Sequence, residues 1–348
     1  MKEYVGIQYL RGLAAVLVVV YHLGQPLERL GHAVHWPGGL SAGVDIFFVI
    51  SGFVMWITTR TRDTTPIDFW RKRLVRIVPL YWLVTTFMLT VLLVAPQVMQ
   101  TSRFDAKHVI ASYLFIPALN PGKPVMEPLL FPGWTLNYEM FFYAIFGLFL
   151  LAGPKLRLWG TIGVLTVLVA LGAAFDVPHL SVAGFYSDSI MLEFALGMML
   201  GELVHQRSGQ RILPRTTGWF LFALGLACLI AVPQIEGVPR AIRYGLPALF
   251  IVLGCLSIEC DGGVREIPLF HHIGNASYSI YLTQLVTMAA FLVLWRKLGL
   301  EPSVALAALF CVLDVLIAVA GGIVSYHLLE KPFIGLFRTK RAPAAATA

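Results

Sequence analysis

Ten mostly apolar runs recur along the 348-residue chain, at about 7–24, 40–59, 77–96, 133–152, 159–175, 188–204, 217–232, 244–259, 276–295 and 303–327. A helix crosses the roughly 30 Å hydrocarbon core of a bilayer with about 20 such residues. The pattern therefore predicts an all-α polytopic membrane helix bundle of about ten transmembrane helices. A water-soluble alternative fails on composition. Hydrophobic residues make up 58% of the chain and charged residues only 13%, against about 25% charged in soluble domains. A water-soluble fold of this length could not hide so much apolar side chain, whereas lipid tails can solvate its outside.

The loops give the bundle a direction. With the N-terminus in the cytoplasm, the inside segments hold 17 Lys and Arg and the outside segments eight, with Arg11 left inside the first span. That bias predicts both termini in the cytoplasm. A further apolar stretch, His108 to Ala118, is too short to span and reads as re-entrant or interfacial; counting it as a span would reverse every later loop. The net charge of +7 serves topology and lipid headgroups, so nucleic-acid binding is excluded. The segment 60–76 interleaves Ile67, Phe69, Trp70, Leu74 and Ile77 with Arg71, Lys72, Arg73 and Arg76, which suits a helix lying on the cytoplasmic surface before it enters the membrane. Cys228, Cys255 and Cys311 sit in apolar runs, and with Cys260 they form neither a CxxC pair nor a Cys/His cluster. No metal site is indicated. The first apolar run lacks a cleavage site and reads as a retained span. Residues 1–335 read as one transmembrane domain, followed by a short basic, Ala-rich cytoplasmic tail at 336–348.

Ionisable groups inside a span are costly, so they mark function or a structural pairing. Arg11 and His22, eleven residues apart, fall within roughly 20° of one face of the first span and about 16 Å apart along its axis. Snorkelling of Arg11 to headgroups and an interfacial His22 fit the same positions. The second span places Asp45 near its outer end, as a functional anion or a helix-end charge, and Ser51-Gly52 within it as a surface for close helix packing. The fourth span opens Trp134-Thr135-Leu136-Asn137-Tyr138-Glu139 and puts a carboxylate among aromatic rings. Glu193, Glu202, Asp314, Tyr278 and Tyr281 read first as structural polar groups.

Together these segments resemble the acyltransferase-3 family of integral membrane O-acyltransferases, and among them the bacterial exopolysaccharide members. The likeness runs from Tyr9 to Phe333. Arg11 through His22 is similar to the family's Arg-x10-His motif, and Gly43 through Phe53 to its Gly-Val-Asp-Leu-Phe-Phe-Val-Leu-Ser-Gly-Phe signature. Arg73-Leu-Val-Arg76 looks like the Arg-x-x-Arg segment, and Trp134 through Glu139 like Trp-Ser-Leu-x-x-Glu. Ser277 through Leu282 and Glu330-Lys331-Pro332 resemble the late motifs. Gln284 departs from the histidine that many members carry, which leaves that position to orient rather than to transfer a proton.

The resemblance implies transfer of an acyl group, usually acetyl, from acyl-CoA to a carbohydrate hydroxyl in the bacterial inner membrane. No bound cofactor is expected; acyl-CoA enters as co-substrate. His22 is the candidate base, because a neutral imidazole can take the hydroxyl proton as attack begins. Glu139 is a candidate to orient it, offset its charge or act as acid or base itself, and Asp45 is a second candidate for orienting. Arg11, Arg73 and Arg76 suit the donor phosphates. Asn137, Trp134, Tyr278 and Gln284 fall to acceptor contact or orientation. The acceptor is expected to be exopolysaccharide or a lipid-linked sugar at the outer face. The acyl group then reaches it by threading of the pantetheine arm or by an acyl-enzyme. A transporter or flippase of a sugar-lipid is the rival reading, and the inverted repeats frequent in transporters are not found.

Overall fold

The computed structural model describes residues 4–32, 34, 37–61, 64–99, 102–231, 237–300 and 303–337; the last residues of the tail lie outside them. Every predicted apolar run forms a helix, and among the described residues no strand forms beyond one isolated bridge between Leu119 and Met126. Helix α1 (Val5–His22) is followed by a short α2 (Gly24–Arg29), then α3 (Gly43–Arg60), α4 (Pro66–Val94) and an eight-residue α5 (Ala106–Tyr113). Next come α6 (Gly133–Phe149), α7 (Pro154–Ala174), a short α8 (Val182–Tyr186), α9 (Met191–Gln206) and α10 (Arg215–Ala231). The chain continues through α11 (Leu246–Cys260), α12 (Pro268–Asn275), α13 (Ser277–Lys297), α14 (Val304–Ser325) and α15 (Lys331–Phe337).

Seven stretches are long and apolar enough to cross a membrane: Val5–Arg29, Gly38–Arg60, Pro66–Val94, Pro154–Ala174, Ala241–Cys260, Ser277–Lys297 and Val304–Phe337. The chain is thus a multi-pass membrane protein. The three other expected spans became α6, α9 and α10, of 17, 16 and 17 residues. At about 1.5 Å per residue they rise roughly 25 Å, less than a full hydrocarbon core. Two of them carry the charges that set them apart: Glu139 on α6, and Glu193 and Glu202 on α9.

Local chemistry fixes the ends that matter for the site. The first N–H groups of α1 have no helical acceptor. Glu259 of α11 supplies one, taking Val5 N–H at 2.9 Å and Gly6 N–H at 2.8 Å. Thr65 caps α4 by accepting from Asp68 N–H at 3.1 Å, with Pro66 behind it at the first helical position. The basic segment is therefore the first turns of a single 29-residue helix, and Trp70 ties it to α6 through the Tyr143 carbonyl at 2.8 Å. The stretch from His108 stays short of a span: α5 ends at Tyr113 and Phe115 turns the chain with φ +57°. The segment folds back on α4, where Tyr81 donates to the Ser112 carbonyl and Trp82 to that of Tyr113, both at 2.9 Å.

Helices α3 and α9 cross with their backbones in contact. A Cβ on Gly52 would lie 2.1 Å from the Phe194 carbonyl oxygen, and one on Gly197 2.0 Å from that of Val49. Small residues are needed on both sides of this crossing. Glu202 closes the end of the crossing nearest Arg60, accepting from Trp56 Nε1 at 2.9 Å and pairing with Arg60 at 3.2 Å. Aromatic stacking continues the core outward, with Phe142 on Phe194 at 4.3 Å and Tyr138 on Phe185 at 4.0 Å between ring centroids.

Candidate active site

Arg11 of α1, Arg73 and Arg76 of α4 and Glu139 of α6 converge on one cavity of about 110 Å3. Its polar lining is completed by Ser51, Thr135, Tyr143, Ser277, Tyr278 and Tyr281. The sequence separates these groups by up to 270 positions, so the helix packing alone assembles them. Three guanidinium groups face one carboxylate in the lining. Glu330 adds a second carboxylate within electrostatic reach of Arg11 and Arg76, and it is fixed by Ser279 Oγ at 2.5 Å. The cavity keeps an excess of positive charge, as an anion site requires.

Each charged side chain is oriented by a different device. Arg11 donates to Gln8 Oε1 at 3.0 Å, one turn back on its own helix. Arg73 lies over the rings of Phe69 and Tyr143, at 5.7 and 5.9 Å from their centroids. Its Nε is buried without a hydrogen-bond partner, as is Ser277 Oγ. Such groups are costly unless something completes them. Glu139 accepts from Ser51 Oγ at 3.1 Å and from the Tyr143 hydroxyl. Ser51 therefore serves the carboxylate while its neighbour Gly52 serves the helix crossing. Tyr278 donates to the Ile77 carbonyl at 2.7 Å.

His22 stands beyond the end of this cavity that Val44 and Tyr281 line. Val44 and Tyr281 line the cavity and also pack with Val18, one turn before His22, and with Trp134. The Tyr281 hydroxyl closes that end through the Pro132 carbonyl at 3.0 Å and Thr135 Oγ1 at 2.9 Å. His22 Nδ1 lies 2.8 Å from the Val18 carbonyl oxygen, and the ring meets Phe131 edge-on at 5.9 Å. A carbonyl can only accept, so Nδ1 carries the proton and Nε2 of a neutral imidazole holds the lone pair. The fold orients His22 through its own helix backbone.

The other predicted residues divide. Asp45 is not set against His22: both its oxygens are taken by Arg240, at 2.8 Å from Nε and 2.7 Å from Nη2. The reason is position, because Asp45 lies in the first turn of α3 where Arg240 reaches it across the bundle. Arg240 also sits over the rings of Trp134 and Tyr244, at 5.7 and 5.3 Å. Asn137 is buried with neither side-chain atom hydrogen-bonded. Gln284 donates to the Tyr281 carbonyl at 3.1 Å and leaves Oε1 unmatched. Reading the sequence assigned no role to Arg240 or Tyr143, and quoted Thr135 and Glu330 only as parts of motifs. Tyr143 carried a signal, since it follows Glu139 by one helical turn. Arg240 carried only an indirect one: a buried aspartate at the outer end demands a cation from the few available there. Among the described residues no cluster of three or more His, Cys, Asp or Glu side chains could hold a metal ion.

A membrane helix bundle around a cavity with more arginine than carboxylate, and an imidazole past the end lined by Val44 and Tyr281, has the means to hold an anion and to accept a proton. A profile of the family described as acyltransferase domain, the acyltransferase-3 type, matches residues 4–324. The chain belongs to this family. It is 37% identical over 323 residues to the exopolysaccharide production protein ExoZ of Rhizobium meliloti, covering 91% of this chain and 96% of that one. Identity to the acyltransferase MdmB of Streptomyces mycarofaciens is 25% over 372 residues, covering 97% and 93%. Identity to the peptidoglycan O-acetyltransferase OatA of Listeria monocytogenes is 28% over 315 residues, covering 81% of this chain and 49% of that longer protein. No solved structure matches the chain.

Proposed function

We propose that the protein transfers an acyl group, acetyl first of all, from acyl-CoA on the cytoplasmic side to a hydroxyl of an exopolysaccharide or lipid-linked sugar at the outer face of the bacterial inner membrane. In this reading α6, α9 and α10 cross with the seven longer helices, which gives ten spans and places both termini in the cytoplasm. The observation that carries it is the meeting of Arg11, Arg73, Arg76 and Glu139 around one cavity, with His22 beyond its far end. The 37% identity to a protein of exopolysaccharide production supports the acceptor class.

At about 110 Å3 the cavity has room for a few waters or a slender chain, since one water needs roughly 10–15 Å3. The nucleotide of the donor therefore stays at the mouth, where the guanidinium groups meet its phosphates, and the pantetheine arm with its thioester enters. To reach the acceptor it has to pass the cluster of Val18, Val44 and Tyr281. His22 Nε2 takes the proton of the sugar hydroxyl as the oxygen attacks the thioester carbonyl. The carbon–sulfur bond then breaks, CoA leaves as thiolate and recovers a proton, and the ester remains on the sugar. Glu139, among three arginines, holds the cavity's charge balance and keeps Tyr143 and Ser51 in place. Asn137 and Gln284 offer unmatched amide atoms for orienting the arm or the acceptor.

Purified protein in lipid vesicles, incubated with [14C]acetyl-CoA and exopolysaccharide fragments, tests the reading. Label is expected on the glycan as an alkali-labile ester. Label that stays on CoA with every glycan tried, while glycan crosses the vesicle wall, makes the protein a transporter.

A further inference from the structure

A second and larger cavity, of about 500 Å3, opens where α1, α10, α11 and α12 meet. It falls within the roughly 300–1,000 Å3 of small-molecule sites. Leu10, Leu13, Phe222, Ile258 and Phe270 form its walls, and Arg215 and Arg265 stand at its rim. Trp219 and Phe270 line it yet are 54% and 49% exposed. In a bilayer such exposed rings face lipid, so the groove is entered from the membrane rather than from the donor cavity. α1 is the wall between them, with Leu10 and Leu13 on the groove and Arg11 on the cavity.

The charges at the rim do not cancel. Asp261, just past the end of α11, pairs with Arg211 at 3.0 Å and accepts the Arg215 backbone N–H at 2.8 Å, while Glu259 of α11 is spent on the Val5 and Gly6 N–H groups. Among the described residues the Arg215 guanidinium meets carbonyl oxygens, of Gly263 at 3.3 Å and Ile258 at 3.5 Å. Arg265 is exposed, and it is its carbonyl that takes the Tyr9 hydroxyl at 2.9 Å. Glu266 is directed to His271, 4.0 Å away. An apolar slot open to lipid, beneath two guanidinium groups that no carboxylate among the described residues pairs with, matches an acyl chain below a phosphate. We propose that this groove binds an anionic phospholipid of the leaflet that carries the N-terminus, one acyl chain between α1 and α10 and the phosphate at Arg215 and Arg265. Only the naming of that leaflet as cytoplasmic rests on the function proposed above.

Trp219 reports on the groove directly. The protein is placed in vesicles of phosphatidylcholine with small fractions of brominated phosphatidylglycerol or brominated phosphatidylcholine, and fluorescence is compared with that of Trp219→Phe to isolate the one indole. Each basic side chain near an anionic headgroup contributes about fivefold in affinity, so phosphatidylglycerol is expected to quench Trp219 with a preference of about thirtyfold over phosphatidylcholine. Arg265→Gln, which disturbs no backbone contact, is expected to lower that preference about fivefold, and Arg215→Gln with Arg265→Gln to abolish it. Equal quenching by the two lipids, or a preference that survives the double substitution, overturns the proposal. Relief of quenching by long-chain acyl-CoA at equal concentration also overturns it and assigns the groove to a water-soluble donor. None of these readouts requires acyl transfer, so they stand apart from the test of the enzyme.

Discussion

The ion pair of Asp45 and Arg240 separates a chemical role for Asp45 from a structural one. Asp45 is fully buried and the Arg240 side chain is 28% exposed. Further acidic side chains change the arithmetic: Glu193, also fully buried, lies within electrostatic reach of Asp45 and Arg240, and Asp188 within reach of Arg240 and Glu193. Arg240→Gln leaves Asp45, Glu193 and Asp188 without the cation they share. Removing one partner of a buried pair costs about 3–5 kcal/mol, and the full range is expected here. Asp45→Asn leaves Arg240 facing Glu193, so the loss is confined to charge-assisted hydrogen bonds, about 1.5–3 kcal/mol. The double substitution leaves two amides that can bond each other, and its cost is expected to fall below the sum by about 1–3 kcal/mol, the range for directly coupled groups. Unfolding in mixed micelles, followed by circular dichroism, measures the cycle, with transferase activity per folded molecule read alongside. The reasoning is refuted if Asp45→Asn destabilises more than Arg240→Gln. It is refuted also if Asp45→Asn folds with native stability yet lacks activity, which would return Asp45 to the chemistry.

Four further outcomes are expected. His22→Ala removes the proposed base and is expected to lower glycan acylation by about 10²–10⁴ while membrane insertion persists; ordinary acylation in cells ends that assignment. Arg73→Ala combined with Arg76→Ala is expected to weaken donor binding at least about tenfold, the value of one charge-assisted bond, and calorimetry of CoA binding in detergent showing unchanged affinity removes the phosphate role. Glu139→Gln keeps shape and removes charge, so initial rates are expected to fall about tenfold or more while Tyr143 stays hydrogen-bonded; full activity leaves Glu139 only a structural part. Gly52→Ala forces a methyl group onto the Phe194 carbonyl and is expected to cost about 1–3 kcal/mol; an unchanged melting curve contradicts the close crossing of α3 and α9.

How far each residue could be read from the sequence follows the range of the interaction involved. Spans are set by local apolarity, so every predicted run became a helix; of the three short ones, α6 and α9 carry carboxylates held by another helix, Glu139 by Ser51 and Glu202 by Trp56 and Arg60. The rule that a charge inside a span needs a reason picked out Arg11, Asp45 and Glu139 without any partner in view. Finding the partners was another matter. Arg11 and His22 do share a helix edge, as their spacing requires, but the edge is interrupted: Arg11 lines the cavity, while Val18 and Tyr281 stand between it and His22. No periodicity on α1 announces a tyrosine arriving from α13. The same holds for Asp45, whose place in the first turn of α3 suggested the imidazole on α1, until Arg240, 195 residues away, took both oxygens. A carboxylate in hydrocarbon is committed to the strongest cation within reach, and a guanidinium that can bond both oxygens wins over an imidazole already bonded to its own backbone. That selection leaves His22 with Nδ1 bonded to its own backbone and, among the described residues, no carboxylate paired with it, so that in the proposed reaction its proton can move on to the departing thiolate rather than stay on a stabilised imidazolium.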